Sequence, residues 1–345
     1  MILRNREIFR DGVPFVMAEI GVNHDGQIAL AEALIDAAKI ATADAVKFQL
    51  FDADLLLADS AALVDYQKSA ADSAPDLLRP LQLTPQQMAP LIIRAHDHGL
   101  AAIVTPFSPS LVPAVKEMNA DAIKLASPDL VNLPLLEAAA ATGLPLILST
   151  GAATLEEVQR TVQWLTDLHA IERALLLHCV SDYPTAPERA TLGAITALRD
   201  AFPALPIGYS DHTVETFTAA LAVTAGACLL EKHLTLDCTR KGPDHAASLE
   251  PAQFAEYTAL AKIGYAMRGP FAKAPQPAEL QIREQTRQSL TTTRDLAAGT
   301  TLSADMLTVK RPGTGIPAAE LRSTLGKTLR RALPANTTLT SDVLA

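Results

Sequence analysis

Cys228-Leu229-Leu230-Glu231-Lys232-His233-Leu234-Thr235 begins as an apolar run and ends in groups able to do chemistry. Seven earlier runs share the design: residues 16–20, 45–49, 101–105, 122–126, 145–150, 174–179 and 206–210. Polar residues stand at or just past their ends: Glu19, Lys47, Thr105, Lys124 with Ser127, Ser149, His178 with Tyr183, and Ser210 with His212. Parallel strands covered by helices on both faces read as continuous apolar runs of this kind. Eight of them, separated by helix-like stretches, predict a closed (β/α)8 TIM barrel whose active site lies at the carboxyl ends of the strands.

The strand-end residues mostly recur every ~20–30 residues, about one βα unit each. The interval between Lys47 and Thr105 is longer, and residues 51–80 within it read as a loop or helix inserted over the barrel mouth. Thr154 and Glu157 have the spacing of a reciprocal capping box, followed by Leu155, Val158, Val162 and Leu165 at helical intervals. The barrel pattern stops near Met267. Residues 268–277 hold three prolines and a glycine, which marks a linker. The expected organisation is a barrel domain over 1–268, a linker over 269–287 and a small domain over 288–345. That small domain repeats itself, residues 294–307 aligning with 331–344. Gly299 falls on Asn336, two residue types that tolerate positive φ. Asp305 falls on Asp342, both read as caps of a final helical turn. A domain this small is marginal alone, so packing on its own barrel or a partner's is expected.

The 345 residues are 49% hydrophobic, enough for a large core, and carry a net charge of −9. With a pI near 5.4, the chain lacks the footprint of a nucleic-acid binder. Any anion must be held by a local basic group. The three cysteines, Cys179, Cys228 and Cys238, are odd in number and lack metal-ligand spacing, which fits a reducing, cytoplasmic compartment. The opening Met-Ile-Leu-Arg-Asn-Arg-Glu has no apolar core of signal-peptide length. No run reaches the ~18 apolar residues of a membrane span. A soluble cytosolic protein is the expectation.

Two groups of residues carry chemistry. Ser210-Asp211-His212 and Glu231-Lys232-His233 follow the seventh and eighth runs, neighbours in a barrel. Two imidazoles from adjacent strand ends can share a divalent ion and leave its other positions to water and substrate; the plainer reading is two hydrogen-bonded structural histidines. Lys47 and Lys124, with Thr105, Ser127, Ser149 and Ser210 at the same rim, suit a phosphorylated or carboxylated anion. A lysine buried in a strand needs a partner, so the competing reading pairs each with a structural carboxylate such as Glu231. Glu19, Asp129, Glu231 and Asp244 are the candidate acids and bases. The Lys241-Gly242-Pro243-Asp244-His245 loop reads either as a cover over the site or as a solvated turn.

Several stretches together resemble the sialic acid synthases, the N-acetylneuraminate synthases and related nonulosonic acid synthases. They are Ala18-Glu19-Ile20-Gly21-Val22-Asn23-His24, Ala45-Val46-Lys47-Phe48-Gln49, Thr105-Pro106-Phe107-Ser108, Ile123-Lys124-Leu125-Ala126-Ser127, Leu148-Ser149-Thr150-Gly151, Tyr209-Ser210-Asp211-His212-Thr213 and Gly242-Pro243-Asp244-His245. Val309-Lys310-Arg311-Pro312-Gly313, with the repeat around it, resembles the antifreeze-like (SAF) domain of those enzymes.

The resemblance implies condensation of phosphoenolpyruvate with the open-chain aldehyde of an N-acetylated hexosamine, releasing phosphate by C–O cleavage. N-acetylmannosamine is the first expectation for the sugar; a diacetamido-trideoxyhexose, giving legionaminic acid, is the alternative. It further implies a divalent metal on His212 and His233, Mn2+ with Mg2+ or Co2+ as substitutes. Lys47, Thr105, Lys124, Ser127, Ser149, Ser181 and Ser210 match the phosphoenolpyruvate contacts. Glu19, Tyr183 and Asp244 match sugar contacts, and Glu19 and Asp129 match acid–base residues. Arg311 matches an arginine that reaches a partner's barrel in a domain-swapped homodimer. The family often has Ser-Gly-Glu where Ser127-Pro128-Asp129 stands, and some members have Asn at the position of Ser181. Two further readings stay beside it: a metal-dependent aldolase acting on pyruvate, and a non-catalytic carbohydrate-binding relative.

Overall fold

A computed structural model describes residues 1–58, 61 and 73–345. They form two compact units, Met1–Pro270 and Phe271–Ala345. The first opens with a hairpin of β1 (Ile2–Leu3) and β2 (Arg6–Glu7). Eight parallel strands follow: β3 (Phe15–Gly21), β4 (Ala45–Leu50), β5 (Ala101–Pro106), β6 (Ala122–Leu125), β7 (Leu146–Ser149), β8 (Ala174–Cys179), β9 (Ile207–Asp211) and β10 (Leu229–His233). They close in chain order, β10 pairing β3. The eight apolar runs are therefore the eight barrel strands, with ends displaced by no more than two residues. Helices α1 (Ile28–Ile40), α2 (Ala53–Leu56), α3 (Ala74–Leu78), α4 (Pro85–Asp97), α5 (Val112–Glu117), α6 (Leu133–Ala141), α7 (Leu155–Asp167), α8 (Gly193–Ala201), α9 (Thr218–Ala225) and α10 (Pro251–Arg268) accompany them.

Alternation along each strand sorts the side chains into two layers. Val16, Ala18, Ile20, Val46, Phe48, Ala102 and Val104 point outward and pack with the helices. Phe15, Met17, Ala45, Ile103, Ala122, Ile147, Leu175 and Leu229 fill the interior, with Leu3 and Ile8 of the hairpin beneath them. Farther along the same strands the inner face turns polar, as Glu19, Lys47, Lys124, Ser149, Ser210 and Glu231. One strand face thus supplies both the apolar plug and the reactive rim. The capping box at α7 is present in both directions: Glu157 N donates to Thr154 Oγ1 at 3.3 Å and Thr154 N to Glu157 Oε2 at 2.8 Å. Of the 51–80 insertion, α2 and α3 lie among the described residues; 59–60 and 62–72 lie outside them.

The second unit contains α11 (Pro277–Thr286), β11 (Ser289–Thr292) paired antiparallel with β12 (Leu307–Lys310), and α12 (Leu321–Thr324). Residues 269–287, read as a linker, thus include a helix. Pro277 sits in its first turn and Glu279 caps it from Gln276 N at 2.6 Å. The unit has its own core of Leu290, Leu296, Leu302, Leu329, Leu333 and Leu339. The repeat is structural: Gly299 and Asn336 take φ of 82° and 61°, and Arg294–Asp305 (2.6 Å) is matched by Arg331–Asp342 (3.3 Å). The two aspartates do not occupy the cap positions expected of them. Ser303 and Thr340 do, and each aspartate lies inside the turn, where its carboxylate takes the arginine instead.

Candidate active site

The polar rim surrounds a cavity of about 460 Å3. His212 follows β9 and His233 ends β10, and these strands pair Ser210 with Glu231 and Asp211 with Lys232. The two rings stand 5.4 Å apart between centroids, their planes at 60°. Tyr183 stacks on His212 at 3.9 Å and meets the edge of His233 at 5.9 Å. Nδ1 of His212 lies 2.7 Å from the Val180 carbonyl. An N–H is needed there, so in the neutral ring the lone pair belongs to Nε2, 3.5 Å from Ser210 Oγ; against the opposing effect of burial, Cys179, the Val180 carbonyl and Glu231 raise the His212 pKa. Burial, reinforced by the positive groups around it, holds the His233 pKa well below the ordinary value. That ring is neutral and its Nδ1 is buried without a hydrogen-bond partner, 3.5 Å from Asp244 Oδ2.

These features fit a divalent cation: two imidazoles on one cavity, His233 neutral with an orphaned nitrogen and His212 able to bind through Nε2 once a cation displaces its proton. Among the described residues no set of three His, Cys, Asp or Glu converges as a metal cage. An ion here keeps several positions for other ligands.

The lysines are both paired and poised. Lys47 Nζ contacts Glu19 Oε2, lies 3.3 Å from Glu231 Oε1 and reaches Thr105 Oγ1 at 3.3 Å. Lys124 Nζ lies 3.5 Å from Glu231 Oε2 and donates to the Leu125 carbonyl at 3.2 Å. Glu231 thus stands between two ammonium groups; burial opposes its charge, but Lys124 and Lys47 hold its pKa below normal. The carboxylate partners of the competing reading are present, and the ammonium groups also line the cavity. Burial lowers the Lys47 pKa to about 8 despite Glu231. If its charge binds an anion, kcat/KM for that anion falls as pH rises through about 8. At saturating anion the bound charge holds the proton on, so kcat shows no such limb; pH profiles of both constants check this.

Ser127, Ser149, Ser181, Ser210, Tyr183 and Asp244 also line the cavity. The Ser149 hydroxyl is buried without a partner. Ser127 Oγ accepts from Gly151 N at 3.1 Å. A Cβ at Gly151 would collide with the hydroxyls of Ser181 and Ser127, so that glycine keeps the serine pocket open. Thr105 and Glu19 sit beneath the cavity wall and reach it through Lys47. Asp129 is not among the lining residues. Pro128 starts a tight turn in which Asp129 accepts from Asn132 Nδ2 at 2.9 Å, beside the start of α6. Arg311 is an exposed residue of the second unit. His178 faces the helix layer, with Nε2 3.0 Å from the Ala190 carbonyl and its ring stacked on Tyr209.

Gln49, Val22, Phe51, Leu56, Leu78, Phe107, Cys179 and Pro243 line the cavity without having been singled out. Gln49 was within reach of a period-two reading, since it lies one pleat beyond Lys47; its Nε2 donates to Glu19 Oε1 at 3.3 Å. The 241–245 loop covers the site. Asp25 anchors it, pairing with Arg240 and lying 3.0 Å from His245 Nε2. His245 therefore locks the loop, and Asp244 is the residue the loop delivers to the cavity.

The NeuB family profile matches residues 34–269, and the SAF domain profile matches residues 287–345. The chain is 37% identical over 331 residues to N,N'-diacetyllegionaminic acid synthase of Legionella pneumophila, covering 94% of this chain and 93% of that one. It is 34% identical over 298 residues to N-acetylneuraminate-9-phosphate synthase of Mus musculus, covering 86% and 82%. A crystal structure of N-acetylneuraminic acid (sialic acid) synthetase from Leptospira borgpetersenii superposes with a TM-score of 0.75 at 33% identity, over 82% of this chain and 94% of that one. Barrel order, rim residues and both profile matches agree: the chain belongs to the NeuB family of sialic and nonulosonic acid synthases and carries a C-terminal SAF domain.

Proposed function

We propose that the chain condenses phosphoenolpyruvate with the open aldehyde of an acetamido sugar, and that the sugar is a diacetamido-trideoxyhexose, giving a legionaminic-type nonulosonic acid. The observation that carries the reaction is the shared cavity of Lys47, Lys124, His212 and His233. The choice of sugar revises the N-acetylmannosamine expectation. It rests on the stronger likeness to a diacetyllegionaminic acid synthase and on the wall of Val22, Phe51, Leu78 and Phe107. A methyl in place of a hydroxymethyl gains against such a surface.

Lys47 and Lys124 hold the carboxylate and phosphate of phosphoenolpyruvate, with the Ser127, Ser149 and Ser210 hydroxyls as further donors. Glu19 and Glu231 keep the ammonium groups in place. Tyr183, Asp244 and Gln49 orient the sugar on the His233 side. His212 and His233 hold the divalent ion, Mn2+ by preference; when bound, it supplies Lewis acidity toward the aldehyde oxygen. The phosphoenolpyruvate methylene carbon bonds to the aldehyde carbon. Water adds to the resulting cationic C2, and phosphate leaves by C–O cleavage. A metal-dependent aldolase acting on pyruvate would use the same rim but release no phosphate, so phosphate release separates the two reactions.

A sugar panel read by phosphate release tests this. The expected result is a kcat/KM for a 2,4-diacetamido-2,4,6-trideoxyhexose at least about 10-fold above that for N-acetylmannosamine. The reverse order overturns the sugar assignment, and no phosphate from any acetamido sugar overturns the reaction. No described helix is long and apolar enough to cross a membrane.

The proposal extends to a swapped homodimer in which Arg311 completes a partner's site. Mixing Arg311→Ala with His212→Ala protein should recover roughly a quarter of wild-type activity, because half the dimers are mixed and each has one intact site. Mixed dimers with no recovered activity would remove that role.

A further inference from the structure

Behind the two histidines, on the helix side of the barrel, lies a pair of charges that the proposed chemistry does not use. Asp211 immediately precedes His212, and Lys232 immediately precedes His233. The two face each other across β9 and β10. Both are fully shielded from solvent, with Nζ 3.2 Å from Oδ2. Asp211 Oδ1 accepts from the backbone N–H and hydroxyl of Thr213 at 2.9 and 2.8 Å, and Oδ2 accepts from the Thr218 hydroxyl at 2.5 Å. Lys232 donates to the Thr213 carbonyl and, at 3.3 Å, to its hydroxyl. Its ammonium stands 5.3 Å from the centre of the Tyr257 ring. The Asp211–Thr213 bonds bridge across His212. The backbone on both sides of that ring is therefore tied to the residue preceding the other ring.

Stability gives no reason for this arrangement. Burying two charges carries a large desolvation cost, and apolar pairs of similar volume are commonly neutral or stabilising in their place. What a directional, fully bonded pair adds is a fixed register between the two strand ends. We propose that Asp211 and Lys232 are positioning residues that set the separation and tilt of His212 and His233, so that both imidazoles meet one divalent cation. This rests on the metal reading of those histidines. Residues standing behind metal ligands commonly change affinity by about 10–100-fold when replaced.

The test measures Mn2+ binding to metal-free full-length protein from the EPR signal of free Mn2+, with thermal unfolding followed alongside. The variants are His212→Ala, Thr213→Val and the apolar pair Asp211→Leu/Lys232→Met. The expected result is that His212→Ala loses specific binding, while the apolar pair melts within a few degrees of wild type yet binds about 10–100-fold more weakly. Thr213→Val, which removes the hydroxyl both charges share at no change of shape, weakens binding by about 10-fold and decides the matter if the apolar pair fails to fold. Wild-type affinity in a folded apolar pair, or in Thr213→Val should that pair not fold, overturns the positioning role and leaves the metal centre standing. Undiminished binding by His212→Ala overturns the metal centre itself, and the positioning role with it.

Discussion

His212→Ala is expected to lower kcat by about 1,000-fold or more while leaving the protein folded. In the proposed mechanism, loss of one of the two protein ligands would remove the Lewis acid from the aldehyde, an effect of several kcal/mol in sites of this kind, and each 1.36 kcal/mol is tenfold in rate. The structural loss is small by comparison. His212 contributes a hydrogen bond to the Val180 carbonyl, a long contact to Ser210 Oγ and a stacked face to Tyr183, together about 1–3 kcal/mol, or several degrees in Tm. Steady-state phosphate release and a melting curve on the same preparation check both halves. A variant that turns over at near wild-type rate would make the histidines structural, as the plainer sequence reading has it.

Lys47→Met is expected to lose both activity and stability, and Lys124→Met mainly activity. Lys47 is the partner of Glu19 and of one oxygen of Glu231. Removing it leaves buried carboxylates uncompensated, at about 3–5 kcal/mol. Lys124 touches only the far oxygen of Glu231, at 3.5 Å, and a backbone carbonyl, so its loss disturbs the fold less. Both variants should lose about 100-fold or more in kcat/KM for phosphoenolpyruvate, since each deletes a charge that the anion pairs with in a desolvated pocket. Adding Glu19→Gln to Lys47→Met should restore part of the lost stability and none of the activity. Denaturant titration and steady-state kinetics separate the two effects. Equal stability of the two single variants would show that Glu19 does not depend on Lys47.

The barrel was legible because its inner and outer faces leave different marks. Outward positions such as Val46, Phe48 and Val104 are apolar because helices cover them. The inner face is apolar only until the rim, so each run ends at Lys47, Lys124 or Glu231 without breaking. The capping box at Thr154 was legible because both halves are local. What needed coordinates was orientation. His178 and Ser210 both sit near strand ends, yet His178 faces the helices, because it belongs to the set of alternating positions that points outward. Asp129 has a carboxylate at a plausible spacing, but Pro128 turns it toward Asn132. Gln49 carries no charge to attract notice, although it shares a face with Lys47. The helix at Pro277–Thr286 buries no residue within the described chain, so no apolar stripe marked it, and the prolines at its start and just before it read as a linker. The Asp211–Lys232 pair reads in sequence as two more polar residues beside histidines; only its complete burial distinguishes it.

The most direct test is a crystal of the protein soaked with Mn2+ and phosphoenolpyruvate, with anomalous scattering recorded at the manganese edge. The expected result is a single strong peak bonded to one imidazole nitrogen of His212 and one of His233, with the phosphoenolpyruvate carboxylate or phosphate against Lys47 and Lys124. A peak elsewhere in the barrel, or phosphoenolpyruvate held by other residues with no metal between the two rings, would contradict it.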